Sequence, residues 1–332
     1  MECSASTDCD DITSHPKILS WKENTDCCSW DGVTCDRVTG HVIGLDLSCG
    51  QLQGTIHSNS SLFLLPHLQR LNLAFNDFYH SPISSEFGQF ASLTHFNLSQ
   101  SNFSGHIPSE ISHLSKLVSL DLSVGYDSTQ GSLLRLLRLD KPNMKKLVQN
   151  LTELRMLDLS IVDLSSVDPS SLMNLSSSLT TLRLQSCGLR GKFPNNIFHL
   201  PNLQTLYLGF NHNLTGYFPK FNGSSPLKDL DLRGLSFSGE LLDSISNLHS
   251  LKFLALSGYN FSESILTWFG NLTQISTLWL YSNNFSGPIP SSFSKLKHLT
   301  DLDLSYNHFS GQFSIPIAIV VTGYNIYLDP GP

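Results

Sequence analysis

The sequence predicts an α/β solenoid: a right-handed superhelix with a parallel β-sheet on its concave face and a Cys-rich amino-terminal cap. Three observations carry the prediction. Leu179, Leu203, Leu227, Leu251, Ile275 and Leu299 each open the same phrase, 24 positions after the last. That phrase reads L-x-x-L-x-L-x-x-N-x-F-x-G-x-I-P, most fully in residues 275–290 (ISTLWLYSNNFSGPIP); a fixed period of this length marks leucine-rich repeats. Five of the seven cysteines, Cys3, Cys9, Cys27, Cys28 and Cys35, precede residue 36, and without a C-x-x-C pair they read as a disulfide-stapled cap rather than a metal site.

The elements follow in order. Residues 1–41 are a partial cap, shielding the apolar edge that a solenoid leaves at its first unit. Residues 42–314 hold about eleven repeats, opening at Val42, Leu68, Leu93, Leu117, Leu154 and Leu179 and then every 24 residues. One step is long, the 37 residues from Leu117 to Leu154, which makes 117–153 an extended repeat. Helix-like apolar spacing around Pro142 predicts short helical turns in its outer wall. Residues 315–332 lose the register and read as a divergent tail.

Within a repeat, L-x-x-L-x-L is a short strand with Leu inward and x residues on the concave face. Asn76, Asn211, Asn283 and Asn307 stand where the chain leaves the strand and satisfy backbone groups there. Ser101, Val162, Cys187, Leu235 and Tyr259 replace that Asn elsewhere, which predicts looser turns. Phe78, Phe103, Leu164, Leu189, Phe237, Phe261, Phe285 and Phe309 stack as a spine. Gly105, Gly191, Gly239, Gly287 and Gly311 permit the next turn, and Pro108, Pro194 and Pro290 fix an extended backbone after it.

The bulk numbers narrow the function. Charged residues are 14% of the chain and net charge is −7, which argues against a nucleic-acid partner. Ten N-x-S/T sequons, at Asn59, Asn97, Asn102, Asn150, Asn174, Asn213, Asn222, Asn260, Asn271 and Asn284, join the cap in pointing to an oxidising, secretory compartment. The amino terminus lacks the basic and apolar regions of a signal peptide. The most apolar stretch, 315–328, is short of the roughly 20 residues that span a bilayer. The expectation is a truncated product of an exported protein, reaching the membrane only through a segment absent from this chain. No catalytic, phosphate-loop or metal motif occurs, and the 13 His are scattered; neither an enzyme nor a cofactor is expected.

By its motifs the chain resembles plant extracellular leucine-rich repeats, with NFSGHIPSEISHLSKL and NNFSGPIPSSFSKLKHL. Its cap, LSWKENTDCCSWDGVTCDRVTGHVIGLDLSCGQLQGTIHSNSSLFLLPHLQRLNLAFNDF, is similar to the amino-terminal part of plant receptor-like proteins of the fungal-disease-resistance type. The extended repeat with LDKPNMKKLVQNLTEL fits the same pattern. The resemblance implies a cell-surface receptor without a kinase, binding an extracellular peptide or protein ligand and signalling through a receptor-like kinase co-receptor. It also implies a Cys28–Cys35 bridge and an upstream partner for Cys27, with Cys3 and Cys9 both open. The alternatives are a secreted polygalacturonase-inhibitor-like protein, which would end in a Cys-stapled cap, and a non-functional truncated receptor.

Binding residues are sought on the concave face. The last x of each strand is Asp or Asn by default, and Arg183, Tyr207, Ala255 and Trp279 depart from it. Two residues later Ser is the default, and Gln185, Arg233 and Tyr281 depart. Exposed Trp, Tyr and Arg carry most binding energy at interfaces, so Arg183, Gln185, Tyr207, Arg233, Trp279 and Tyr281 are the candidate ligand patch.

Overall fold

The computed structural model describes residues 9, 14–125, 137–218, 220–221, 225–238, 245–259, 267–289, 291–310 and 325–327. The chain divides into two units, residues 1–179 and 180–332. Each is an α/β solenoid of stacked coils.

In the first unit, β1 (Val33–Cys35) pairs antiparallel with β2 (Val42–Asp46) and so closes the edge of the first repeat. Parallel strands β3 (Arg70–Asn72), β4 (His95–Asn97), β5 (Ser119–Asp121) and β6 (Met156–Asp158) follow, one per coil. The middle residue of each, Leu71, Phe96, Leu120 and Leu157, is at most 1% exposed. The residues on either side of it stand on the open face, because side chains alternate along a strand. The extended repeat adds helix α1 (Lys141–Asn150). Asp140 caps it by accepting from the Asn143 N–H at 2.9 Å, Pro142 sits in its first turn, and Met144, Leu147 and Val148 bury one face. The rest of the insert, 126–136, lies outside the described residues.

In the second unit, β7 (Thr181–Arg183), β8 (Thr205–Tyr207), β9 (Asp229–Asp231), β10 (Phe253–Ala255), β11 (Thr277–Trp279) and β12 (Asp301–Asp303) pair in parallel. Each partner lies 24 residues on. A further strand, β13 (Asn325–Tyr327), pairs with β12 in the same register. This corrects the reading of 315–332 as a divergent tail: the ladder continues, and Gly323 stands in the sequence where the opening Leu belongs.

The turns explain the repeat's Asn. The Asn211 side-chain amide donates to the carbonyls of Leu184 and Leu208, both at 2.7 Å, and its oxygen accepts from the Leu189 N–H at 3.0 Å. Asn76, Asn283 and Asn307 likewise donate to a leucine carbonyl of the preceding coil. Two of the substitutes make that bond as well, contrary to the looser turns expected of them. The hydroxyls of Ser101 and Tyr259 donate to the Leu73 and Leu232 carbonyls. Gly105, Gly191 and Gly287 have φ near +84 to +88°, and a Cβ there would meet nothing within 4 Å; backbone conformation alone selects glycine. Gly239, Gly311, Phe261 and Pro290 lie outside the described residues.

One position in nearly every coil, seven residues after the opening Leu, is also left-handed. Cys49, Phe75, Gln100, Ile161, Ser186, Phe210, Ser282 and Tyr306 hold φ between +51 and +67° there. Ile161, at +67°, is β-branched and poorly suited to it. Ile161→Asn, which tolerates that region, is expected to stabilise the protein by about 1 kcal/mol. A urea midpoint that stays put or falls would refute this.

Disulfides correct one expectation. Cys28 bonds to Cys35, but Cys9 bonds to Cys49, not to Cys27. Cys49 ends the first repeat's strand-to-turn segment, and the pairing ties residue 9 to that turn across a Cα separation of 6.0 Å. Cys27 is half-buried and outside both bridges; Cys3 lies outside the described residues.

Candidate functional site

The Asp and Asn default on the open face has a local cause. Asp46, Asn72, Asn97, Asp121, Asp158, Asp231 and Asp303 each accept from the backbone N–H two residues on, at 2.8 to 3.1 Å. Asp46, Asp121 and Asp303 also take the following Ser hydroxyl, at 2.6 or 2.7 Å. These short polar side chains cap the turn that leaves the strand. The departures Arg183, Ala255 and Trp279 have no side-chain acceptor to offer there, and the Tyr207 hydroxyl lies at the far end of its ring. Arg183, Tyr207 and Trp279 are half-exposed instead of spent on the backbone, while Ala255 is buried.

Arg183, Tyr207 and Trp279 end strands of the second unit, Gln185, Arg233 and Tyr281 lie two residues beyond strand ends, and contacts connect several of them. The Arg183 guanidinium lies 5.1 Å from the Tyr207 ring centre. Tyr207 packs on Phe253 at 5.6 Å, and Phe253 meets Trp279 edge-to-face at 5.1 Å. The Arg233 guanidinium sits 4.8 Å from Trp279 and 4.8 Å from Phe210, between two rings. It donates to the Asp231 carboxylate through Nε at 2.9 Å and Nη2 at 2.6 Å. Gln185 donates to Asp231 Oδ2, the oxygen that also accepts from Arg233 Nη2, at 2.8 Å.

Asp231 is the hub of this arrangement. Its side chain is 1% exposed and that of Arg233 15%. Gly209 makes the room, because a Cβ there would lie 2.8 Å from the Asp231 carboxylate. Burial opposes the Arg233 charge, but its bonds to Asp231 outweigh burial and hold its pKa above the ordinary value. Burial, helped by Asp229, raises the Tyr207 phenol, so both groups keep their protons at any physiological pH. The phenol of Tyr259 is raised well above its usual range, first by desolvation and then by Asp231.

Three members of the cluster escaped the sequence reading. Phe253 holds the first strand position, a column not compared between repeats. Asp231 looked like an ordinary default Asp, and Phe210 lies in the turn. The signal for Phe253 was available: its neighbours in that column are Thr205, Asp229, Thr277 and Asp301, and it is the one aromatic among them. Of the sequons, Asn59, Asn102, Asn150, Asn174, Asn213 and Asn271 are exposed and Asn97 and Asn284 half-buried, while Asn222 and Asn260 lie outside the described residues.

Comparison with known proteins bears on the fold and the family. The model of the leucine rich repeat N-terminal domain matches residues 5–36, and that of the leucine rich repeat matches 92–114, 178–200, 274–296 and 298–318. Receptor-like protein 6 of Arabidopsis thaliana is 46% identical over 242 residues, 73% of this chain. Receptor-like protein Cf-9 of Solanum pimpinellifolium is 47% identical over 243 residues, again 73% of the chain. The chain belongs to the plant leucine-rich-repeat receptor-like proteins. It spans about a quarter of the length of these relatives, 24% and 27% respectively. Among solved structures, a TDR receptor aligns over 86% of the chain with a TM-score of 0.63 at 29% identity, half of that receptor being covered. The structure of PEPR1–AtPEP1 aligns over 96% with a TM-score of 0.54 at 26% identity, covering 43% of that chain. Among the described residues of this receptor-like protein, no helix is long and apolar enough to cross a membrane.

Proposed function

We propose that this chain is a non-catalytic ligand-recognition segment of a receptor-like protein. It binds an extracellular peptide or protein on the open face of β7–β12 and acts in defence or developmental signalling through a partner receptor kinase, at the outer face of the plasma membrane. The observation that carries this reading is the connected surface of Arg183, Tyr207, Phe253, Trp279 and Arg233, formed where the turn-capping Asp has given way to larger side chains. The likeness to PEPR1–AtPEP1 supports a peptide or protein as the ligand class. The six exposed sequon asparagines are the proposed glycan carriers.

The test is a binding screen of the secreted chain against a synthetic library of plant extracellular peptides, followed by Trp279→Ala and Tyr281→Ala. Each substitution is expected to weaken a recovered ligand at least tenfold, as central aromatic anchors do. Affinity unchanged in both variants would remove the proposal.

A further inference from the structure

The charge on this face selects among peptides, an inference that rests on reading the face as a peptide-binding surface. On the open face of β7–β12 and the turns that follow, two cations, Arg183 and Arg233, stand against three half-buried carboxylates, Asp229, Asp301 and Asp303, and the buried Asp231. Lys228 and Lys252 stand one residue before their strands, at the entry edge. Both facing cations are engaged. Arg233 is held bidentately by Asp231 between two rings, and Arg183 lies over Tyr207. Arg233 therefore offers no open guanidinium fork to a ligand carboxylate.

The carboxylates of β12 are placed differently. Among the described residues the Asp303 carboxylate accepts from the Ser305 N–H and hydroxyl. Asp301 accepts the Trp279 indole N–H at 3.0 Å through Oδ2, and its Oδ1 is buried without a hydrogen-bond partner among the described residues. No ion pair reaches either residue among the described residues. Two half-buried carboxylates without a cation among the described residues therefore stand one strand along from Trp279, whose ring already draws Arg233 as such rings attract cations. We infer that the β11–β12 end of the face takes a basic peptide segment, with a Lys or Arg side chain against Asp301 and Asp303 and its stem along Trp279. Complementary charge of this kind fixes partner choice and speeds encounter.

The test uses two fluorescein-labelled heptapeptides of identical Leu/Pro scaffold, one with two Lys and one with two Glu, titrated by anisotropy into the full chain. The basic peptide is expected to bind at least tenfold tighter and to weaken as salt rises. Asp301→Asn and Asp303→Asn should each weaken it about threefold, the size expected of a partly screened ion pair, and the double variant should abolish the preference. Asn is native in the Asp303 column at Asn72 and Asn97, where it caps the same turn, so the variant retains its local bond; an unchanged thermal midpoint verifies that. Equal or tighter binding of the acidic peptide, or a basic-peptide affinity indifferent to both substitutions, overturns the inference. If the acidic peptide binds and Trp279→Ala abolishes it, the face remains a peptide surface and only the charge assignment falls. Binding of neither peptide also overturns this inference, and the library screen then decides the broader proposal alone.

Discussion

Asp231→Ala is expected to destabilise the second unit by about 3–5 kcal/mol, the cost of leaving a buried charge without its partner. Arg233 keeps only 15% of its side chain exposed, so water cannot replace the carboxylate. The same substitution removes the acceptor for Gln185 and the cap on the Arg233 N–H. Urea unfolding followed by circular dichroism measures the loss. The double variant Asp231→Ala, Arg233→Leu should recover most of it, because an apolar pair of similar size carries no desolvation penalty. A single-variant loss below about 1 kcal/mol would mean that the pair behaves as a surface ion pair and that Asp231 is no hub.

Asn211→Ala is the second large effect, expected at about 3 kcal/mol. Asn211 is 1% exposed, and its removal orphans the carbonyls of Leu184 and Leu208 and the N–H of Leu189. Each buried group left unpaired costs about 1–3 kcal/mol, with partial relaxation reducing the sum. Asn307→Ala is the internal control. Asn307 makes similar bonds but is only half-buried, so water reaches what the amide leaves behind and the loss should be smaller. Equal losses at the two sites would contradict an explanation by buried orphan groups.

Much of this was legible in the sequence because leucine spacing is a direct image of the strand: Leu182, Leu206, Leu230, Leu254, Leu278 and Leu302 are all buried at the predicted phase. The candidate patch was legible because departures from a column stand out. What stayed hidden depends on contacts across coils. Tyr259 carries no resemblance to Asn, yet its hydroxyl reaches the same kind of carbonyl in the preceding coil. Cys49 sits inside the repeats, so its bond to Cys9 could not be found among the cap cysteines. Strand β13 was masked by one Gly at an opening position. Asp231 is identical in sequence to Asp303, and only the arginine two residues on, together with the space above Gly209, separates their roles.

The turn-capping column sets terms on how such a surface can evolve. A mutation that replaces the strand-end Asp or Asn with a larger side chain creates a new recognition element and uncaps a turn in the same step. By analogy with helix caps that trade costs about 1 kcal/mol, and in a repeat array such costs add nearly independently. Three of the strands β7–β12, those ending in Arg183, Tyr207 and Trp279, have already made it. Selection for new specificity should therefore find its cheapest variation in the repeats that are uncapped already, where one aromatic or cation can be exchanged for another at no further loss of stability. The capped repeats act as the reserve that keeps the lineage above its folding threshold.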